Sequence, residues 1–151
     1  MKRGRRAAIM ACCGVMLMAA GCSRPPLTNE QSRAHAAAEA RWKTSAVRDY
    51  SFELRPFYSL AFDQCAARIE VRGGVVKQVT RLGSLEPTVM TIDDLFQRIH
   101  DAAASGKYVT IQAYYDSDLG YPTRIVFRTI PEIMDGNSVI EVQAFRRLDR
   151  P

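Results

Sequence analysis

The sequence predicts an α+β domain: a single antiparallel sheet of about six strands with two helices packed on one face, in the order α-β-β-β-α-β-β-β. Three observations carry this expectation. Two segments open on capping-box residues and continue with apolar side chains at helical spacing. Six other segments alternate apolar and polar residues, as half-buried strands do. Short, turn-forming connections join successive strands, which favours antiparallel neighbours. A length of 151 residues with 47% hydrophobic and 25% charged residues suits one ordinary domain and excludes both a multidomain chain and a mostly disordered one.

The chain begins with Lys2, Arg3, Arg5 and Arg6, followed by an uncharged run from Ala7 to Gly21. A basic flank, an apolar run and a small-residue exit are the parts of a secretory signal. In a helix the run spans roughly 22 Å, short of the roughly 30 Å hydrocarbon core, so a stable transmembrane anchor is not expected. The exit Met18-Ala19-Ala20-Gly21-Cys22 resembles the lipobox of bacterial lipoproteins, with Ala19 where Leu is usual. That resemblance implies cleavage of residues 1–21 and acylation of Cys22, giving a lipid-attached residue with enough acyl chain for stable anchoring. The alternative is an ordinary cleaved signal that leaves Cys22 as a thiol. Residues 22–27 are then a short linker and residues 28–151 the domain; residues 23–27 reach less than roughly 20 Å. Ser23 is not the Asp-type retention signal, so the lipoprotein resemblance implies the periplasmic face of the outer membrane in a two-membrane host.

Cleavage changes two counts. Of 21 Lys and Arg residues, four lie in the leader, leaving 17 against 16 acidic residues, about +1. The apparent charge of +5 therefore belongs to the export signal, and no nucleic-acid partner is expected. Cys12 and Cys13 leave with the leader and Cys22 is taken by lipid, so Cys65 remains as one thiol, read as a small apolar residue near the start of a strand.

Thr28 with Gln31 forms the first capping box, and the Ala-rich run through Trp42 favours a helix with Ala34, Ala37, Ala38 and Trp42 along its apolar stripe. Tyr50, Phe52 and Leu54 then alternate with polar residues until Pro56, where the strand is expected to end. Gly73-Gly74 between two alternating runs is a two-residue hairpin turn, with Val71 expected opposite Val76 and Glu70 opposite Lys77. Thr91 and Asp94 open the second helix, whose expected buried face is Leu95, Phe96, Ile99, Ala102 and Ala103, and Gly106 ends it. Strands follow over Tyr108 to Tyr115, Thr123 to Ile130 and Ser138 to Phe145, with turns at Gly120, Pro122, Pro131 and Asp135-Gly136.

The search for chemistry yields no enzyme signature. Asp116-Ser117-Asp118-Leu119-Gly120 starts like a calcium loop but has Phe127 where the twelfth position needs Glu, and so is read as a tight loop. His35 and His100 lie on separate helices with no metal-binding spacing and are read as surface or boundary histidines. A nucleophile and base pair of Cys65 with His100 is conceivable, but nothing in the sequence positions it. No phosphate loop, dinucleotide fingerprint or GxSxG is present. No cofactor and no metal are therefore expected.

Arg41-Trp42, Asp49-Tyr50-Ser51-Phe52-Glu53-Leu54, Thr91-Ile92-Asp93-Asp94-Leu95-Phe96 and, above all, Leu119-Gly120-Tyr121-Pro122-Thr123-Arg124-Ile125 occur in this order. Over about residues 35 to 145 the chain resembles the bacterial lipoprotein family called domain of unknown function 6174. The resemblance implies no activity, because the family has none assigned. In the last of these segments Gly120 permits a turn and Pro122 holds Tyr121 extended, so Tyr121 is read as a structural corner packed across the sheet edge, with a ligand-contacting loop as the alternative.

These readings lead to a lipid-anchored, non-enzymatic envelope protein whose sheet or whose loop at Asp118, Tyr121 and Tyr115 meets another envelope component. The alternatives are a small periplasmic enzyme using Cys65 and an inhibitor of an envelope or secreted hydrolase. The oligomeric state is left open.

Overall fold

Two glycines with positive φ, Gly73 at 60° and Gly74 at 80°, close a two-residue hairpin, in a computed structural model that describes residues 26–58, 64–129 and 137–148. Both glycines supply the left-handed backbone of a primed turn. The hairpin joins β2 (Ala67–Arg72) to β3 (Val75–Arg81). The remaining elements are α1 (Asn29–Ser45), β1 (Tyr50–Tyr58), α2 (Ile92–Ala104), β4 (Tyr108–Tyr115), β5 (Pro122–Thr129) and β6 (Ser138–Arg147). All neighbours pair antiparallel in one sheet of order β3-β2-β1-β6-β5-β4, so the expected α+β architecture holds.

Both capping boxes form. The Thr28 hydroxyl accepts from the Gln31 N–H while the Gln31 side chain accepts from the Thr28 N–H. Thr91 and Asp94 do the same for α2, so the shorter Asp reaches where Glu or Gln is usual. Among the described residues, no helix is long and apolar enough to cross a membrane.

Sheet alternation directs one set of side chains to the helices. Tyr50, Phe52, Leu54, Ile69, Val71, Ile111, Ile125, Phe127, Ile140 and Val142 meet Trp42 of α1 and Ile92, Leu95, Phe96, Ile99 and Ala102 of α2 in a single buried core. Both helices therefore lie on the same face. They run antiparallel: Trp42 Nε1 donates to Asp93 Oδ1 at 3.1 Å at one end, while His35 meets His100 at the other.

Four local expectations need correction. Pro56 does not end β1, which continues to Tyr58. Pairing with β2 stops at Leu54 opposite Ala67, so beyond it the strand is laddered to β6 alone and tolerates a residue without an N–H. Glu70 does not face Lys77: a bulge between Glu70 and Val71 puts Gln78 opposite Glu70, which pairs instead with Arg72 Nε at 2.9 Å. The buried stripe of α1 is His35, Ala38 and Trp42, with Ala34 and Ala37 exposed. Ala103 is only half-buried on α2, and Ile92 joins the buried face. The turn expected at Pro131 and Asp135-Gly136, and Cys22 with the whole leader, lie outside the described residues.

One bulge has packing consequences. The register of β1 with β6 shifts between Ser51 and Glu53, and Ala144 takes φ 49°. Val142 faces the core, so simple alternation would turn Phe145 to the opposite face. The extra residue restores it to the helix side, where its ring stacks on Tyr121 at 4.3 Å and on Tyr50 at 5.5 Å. The domain also reaches back beyond the first helix cap: the Pro26 carbonyl accepts from the Ile111 N–H at 2.9 Å, and Leu27 packs against the core.

Candidate functional site

The residues singled out in the sequence separate into three environments. Tyr121 is half-buried, with Phe145 stacked on one side and the edge of Trp42 at 6.4 Å. Burial first, and the nearby Asp116 charge second, raise its pKa. It serves as the packed corner. Asp118 is exposed on the adjoining turn and accepts from Ser117 Oγ at 3.1 Å. The turn is built by Asp116, whose Oδ1 accepts from the N–H groups of Asp118 and Leu119 at 3.0 and 2.7 Å. Asp118 and Leu119 border a surface groove completed by Ala37, Arg41 and Thr44 of α1 and Arg147 of β6.

Tyr115 points elsewhere. Its hydroxyl lies 2.6 Å from His35 Nδ1, beneath α1, and its ring stacks on Phe96 with planes 4° apart. Tyr115 thus belongs to a polar cluster beneath the two helices rather than to the corner.

That cluster brings two histidines, a glutamate and a tyrosine together. His35 and Glu39, four residues apart, occupy one face of α1, and His100 approaches from the last turns of α2. His35 Nε2 lies 3.3 Å from His100 Nε2, and His100 Nε2 lies 3.0 Å from Glu39 Oε2. His35 Nε2 and Glu39 Oε2 are 4.0 Å apart. The other Glu39 oxygen, Oε1, accepts from Lys43 Nζ at 2.6 Å. His35, Glu39 and His100 therefore offer three ligand atoms within 4.8 Å of one another.

Burial grades the cluster. His35 is 5% exposed, Glu39 is intermediate and His100 opens to solvent. Burial and then the neighbouring His100 hold the His35 pKa below its ordinary value. The Lys43 hydrogen bond leads the effects that lower the Glu39 pKa, and burial leads those that raise the Tyr115 pKa. A neutral imidazole has one donor and one acceptor nitrogen. In the tautomer with Nδ1–H donating to Tyr115, His35 Nε2 is an acceptor facing His100; in the other, the Tyr115 hydroxyl donates to Nδ1 and Nε2 carries the proton.

The sequence separates the two histidines because they stand 65 positions apart. The available signal was weaker: His35 and Glu39 at i, i+4 on one helix, and His100 one turn beyond Phe96 on the other. Cys65 is not brought to His100. Cys65 precedes β2, whereas His100 meets His35, which bonds Tyr115 of β4, and β2 and β4 are four strand positions apart, about 19 Å.

On the opposite face of the sheet, side chains form cross-strand ladders. Arg55, Glu141, Arg124 and Tyr114 line up across β1, β6, β5 and β4, with Arg124 Nε 3.5 Å from Glu141 Oε1. Phe57, Val139, Val126 and Gln112 form the next row. Glu53 binds Arg68 and Arg55 at 2.7 and 2.9 Å.

The sequence profile of a family described as "Family of unknown function (DUF6174)" matches residues 34–147. No curated protein and no solved structure matches the chain.

Proposed function

We propose, starting from the fact that this chain belongs to the DUF6174 family of unknown function, that it is a non-enzymatic binding or assembly module of the bacterial envelope, anchored by lipid on Cys22 at the periplasmic face of the outer membrane. The observation that carries the reading is the two-sided sheet. Both helices are spent on one face, and the described helices leave the other with its ladders of arginine, glutamate and aromatic side chains. Arg and aromatic residues are enriched where proteins meet. Tyr114, 54% exposed at the end of the Arg55–Glu141–Arg124 row, is the natural aromatic anchor.

The stacking of Tyr121 on Phe145 supports this face, rather than the Tyr121 corner, as the contact surface. The lipid anchor rests on the lipobox-like run ending at Cys22.

Photo-crosslinking in intact cells tests the binding role. A crosslinker at Tyr114 or Arg124 is expected to capture a discrete envelope partner, and one at Gln97 on the helix side is not. Capture only from Gln97, or from neither side, would overturn the sheet-face reading. The mass of the intact protein tests the anchor: loss of 21 residues with acyl mass on Cys22 is expected, and a free thiol at Cys22 would refute it.

A further inference from the structure

We propose that His35, Glu39 and His100 bind one divalent first-row transition metal ion of the zinc class, with Tyr115 as the residue that positions the His35 ring.

The donor set comes first. Two imidazole nitrogens and one carboxylate oxygen suit zinc, cobalt or nickel, whereas calcium and magnesium favour all-oxygen shells. The spacing agrees. Bonds of about 2.0–2.1 Å at tetrahedral angles place ligand atoms about 3.3 Å apart. The three separations here are 3.3, 3.0 and 4.0 Å, so the atoms already mark one face of such a tetrahedron, and the longest edge closes with a small rotation of the Glu39 carboxylate. Lys43 occupies Glu39 Oε1 and leaves Oε2 to the site, which makes the carboxylate a one-oxygen ligand.

The surroundings are those of a ligand cluster. A metal-bound histidine commonly gives its other ring N–H to an oxygen that fixes its tautomer, and the Tyr115 hydroxyl stands at that place on His35 Nδ1, 2.6 Å away. Tyr115 is itself held by stacking on Phe96. The same three atoms already converge on His100 Nε2, which lies 3.0 Å from Glu39 Oε2 and 3.3 Å from His35 Nε2. Metal binding takes the Nε2 lone pair, so a neutral His100 ring carries its one N–H on Nδ1 instead. Because His100 is exposed, the fourth corner faces water, and the site is open on one side.

The test uses the full chain in detergent, purified without a polyhistidine tag and stripped with chelator. Zinc chloride titrated by calorimetry is expected to bind at one ion per chain, and cobalt chloride to give the intense visible bands of a tetrahedral site. His100→Ala, at an exposed position, and Glu39→Gln, which keeps the side-chain shape, should each weaken zinc binding by at least about 100-fold with an unchanged circular dichroism spectrum. Tyr115→Phe, which keeps all three ligands, should weaken it by about tenfold. Absence of saturable zinc binding overturns the proposal. So does equal affinity in the wild type and His100→Ala, which would assign any bound metal to cysteines or other surface groups.

Discussion

The backbone of Gly120 lies directly against the carbonyl oxygen of Ala38, so that a side-chain carbon at Gly120 would strike that oxygen and crowd Arg41 Cβ. The loop before β5 thereby rests on α1 with no side chain between them. Gly120 also has φ 83°, which L-residues resist. Gly120→Ala meets both penalties and is expected to cost about 3 kcal/mol, read from the urea unfolding midpoint. A loss below about 1 kcal/mol would mean that the loop can lift from α1 freely.

Trp42 joins the helices through its indole N–H on Asp93 as well as through the core. Trp42→Phe keeps a ring in the core and removes the donor, so about 1–2 kcal/mol should be lost. Asp93→Asn, which keeps an acceptor oxygen, should lose less. Thermal unfolding of the two variants side by side checks the order.

Ala144 holds a positive φ of 49° in the bulge that returns Phe145 to the core. Glycine usually weakens a strand by about 0.5–1 kcal/mol, but here it relieves a left-handed cost of about 1–2 kcal/mol. Ala144→Gly should therefore raise stability by up to about 1 kcal/mol, and Ala144→Val should lower it. A stability loss in Ala144→Gly would show that the bulge is not strained.

Hydrogen bonds from Arg68 and then Arg55 hold the Glu53 carboxyl below its ordinary pKa. A depressed folded pKa means that the unfolded chain takes up the proton first on acidification. The stabilisation is complete above about pH 4.3, the unfolded value, and is lost as pH falls through the folded value. Glu53→Gln should accordingly be less stable than wild type at pH 7, with the gap narrowing as the pH falls below about 4.3, in urea titrations across that range. A gap independent of pH would deny the charge its role.

Much of this architecture was legible from local chemistry. Thr28 with Gln31, Thr91 with Asp94 and Gly73-Gly74 act through neighbours within a few residues, and each does what its sequence implies. The departures come from partners distant in the chain. Pro56 is tolerated because β2 has already ended beside it, and Glu70 loses Lys77 to a bulge no alternation pattern records. His35 illustrates the limit most clearly: it falls on the buried stripe of an alanine-rich helix, and its meaning comes from Tyr115 and His100, 80 and 65 residues away. Ala34 and Ala37 were equally plausible stripe members, since alanine suits a helix whether buried or exposed.

The hydrogen bond from the Ile111 N–H to the Pro26 carbonyl fastens the incoming chain to β4, the edge strand. In the proposed lipidated form, three residues separate Cys22 from Pro26, a tether of about 13 Å at full extension. The β4 edge would then lie within that reach of the bilayer, and the hairpin edge at β3 is about 24 Å from β4 across the sheet, five strand spacings away. An upright sheet on such a tether would turn its ladders sideways. Partners for that face would then be neighbours standing in the same leaflet, meeting it laterally.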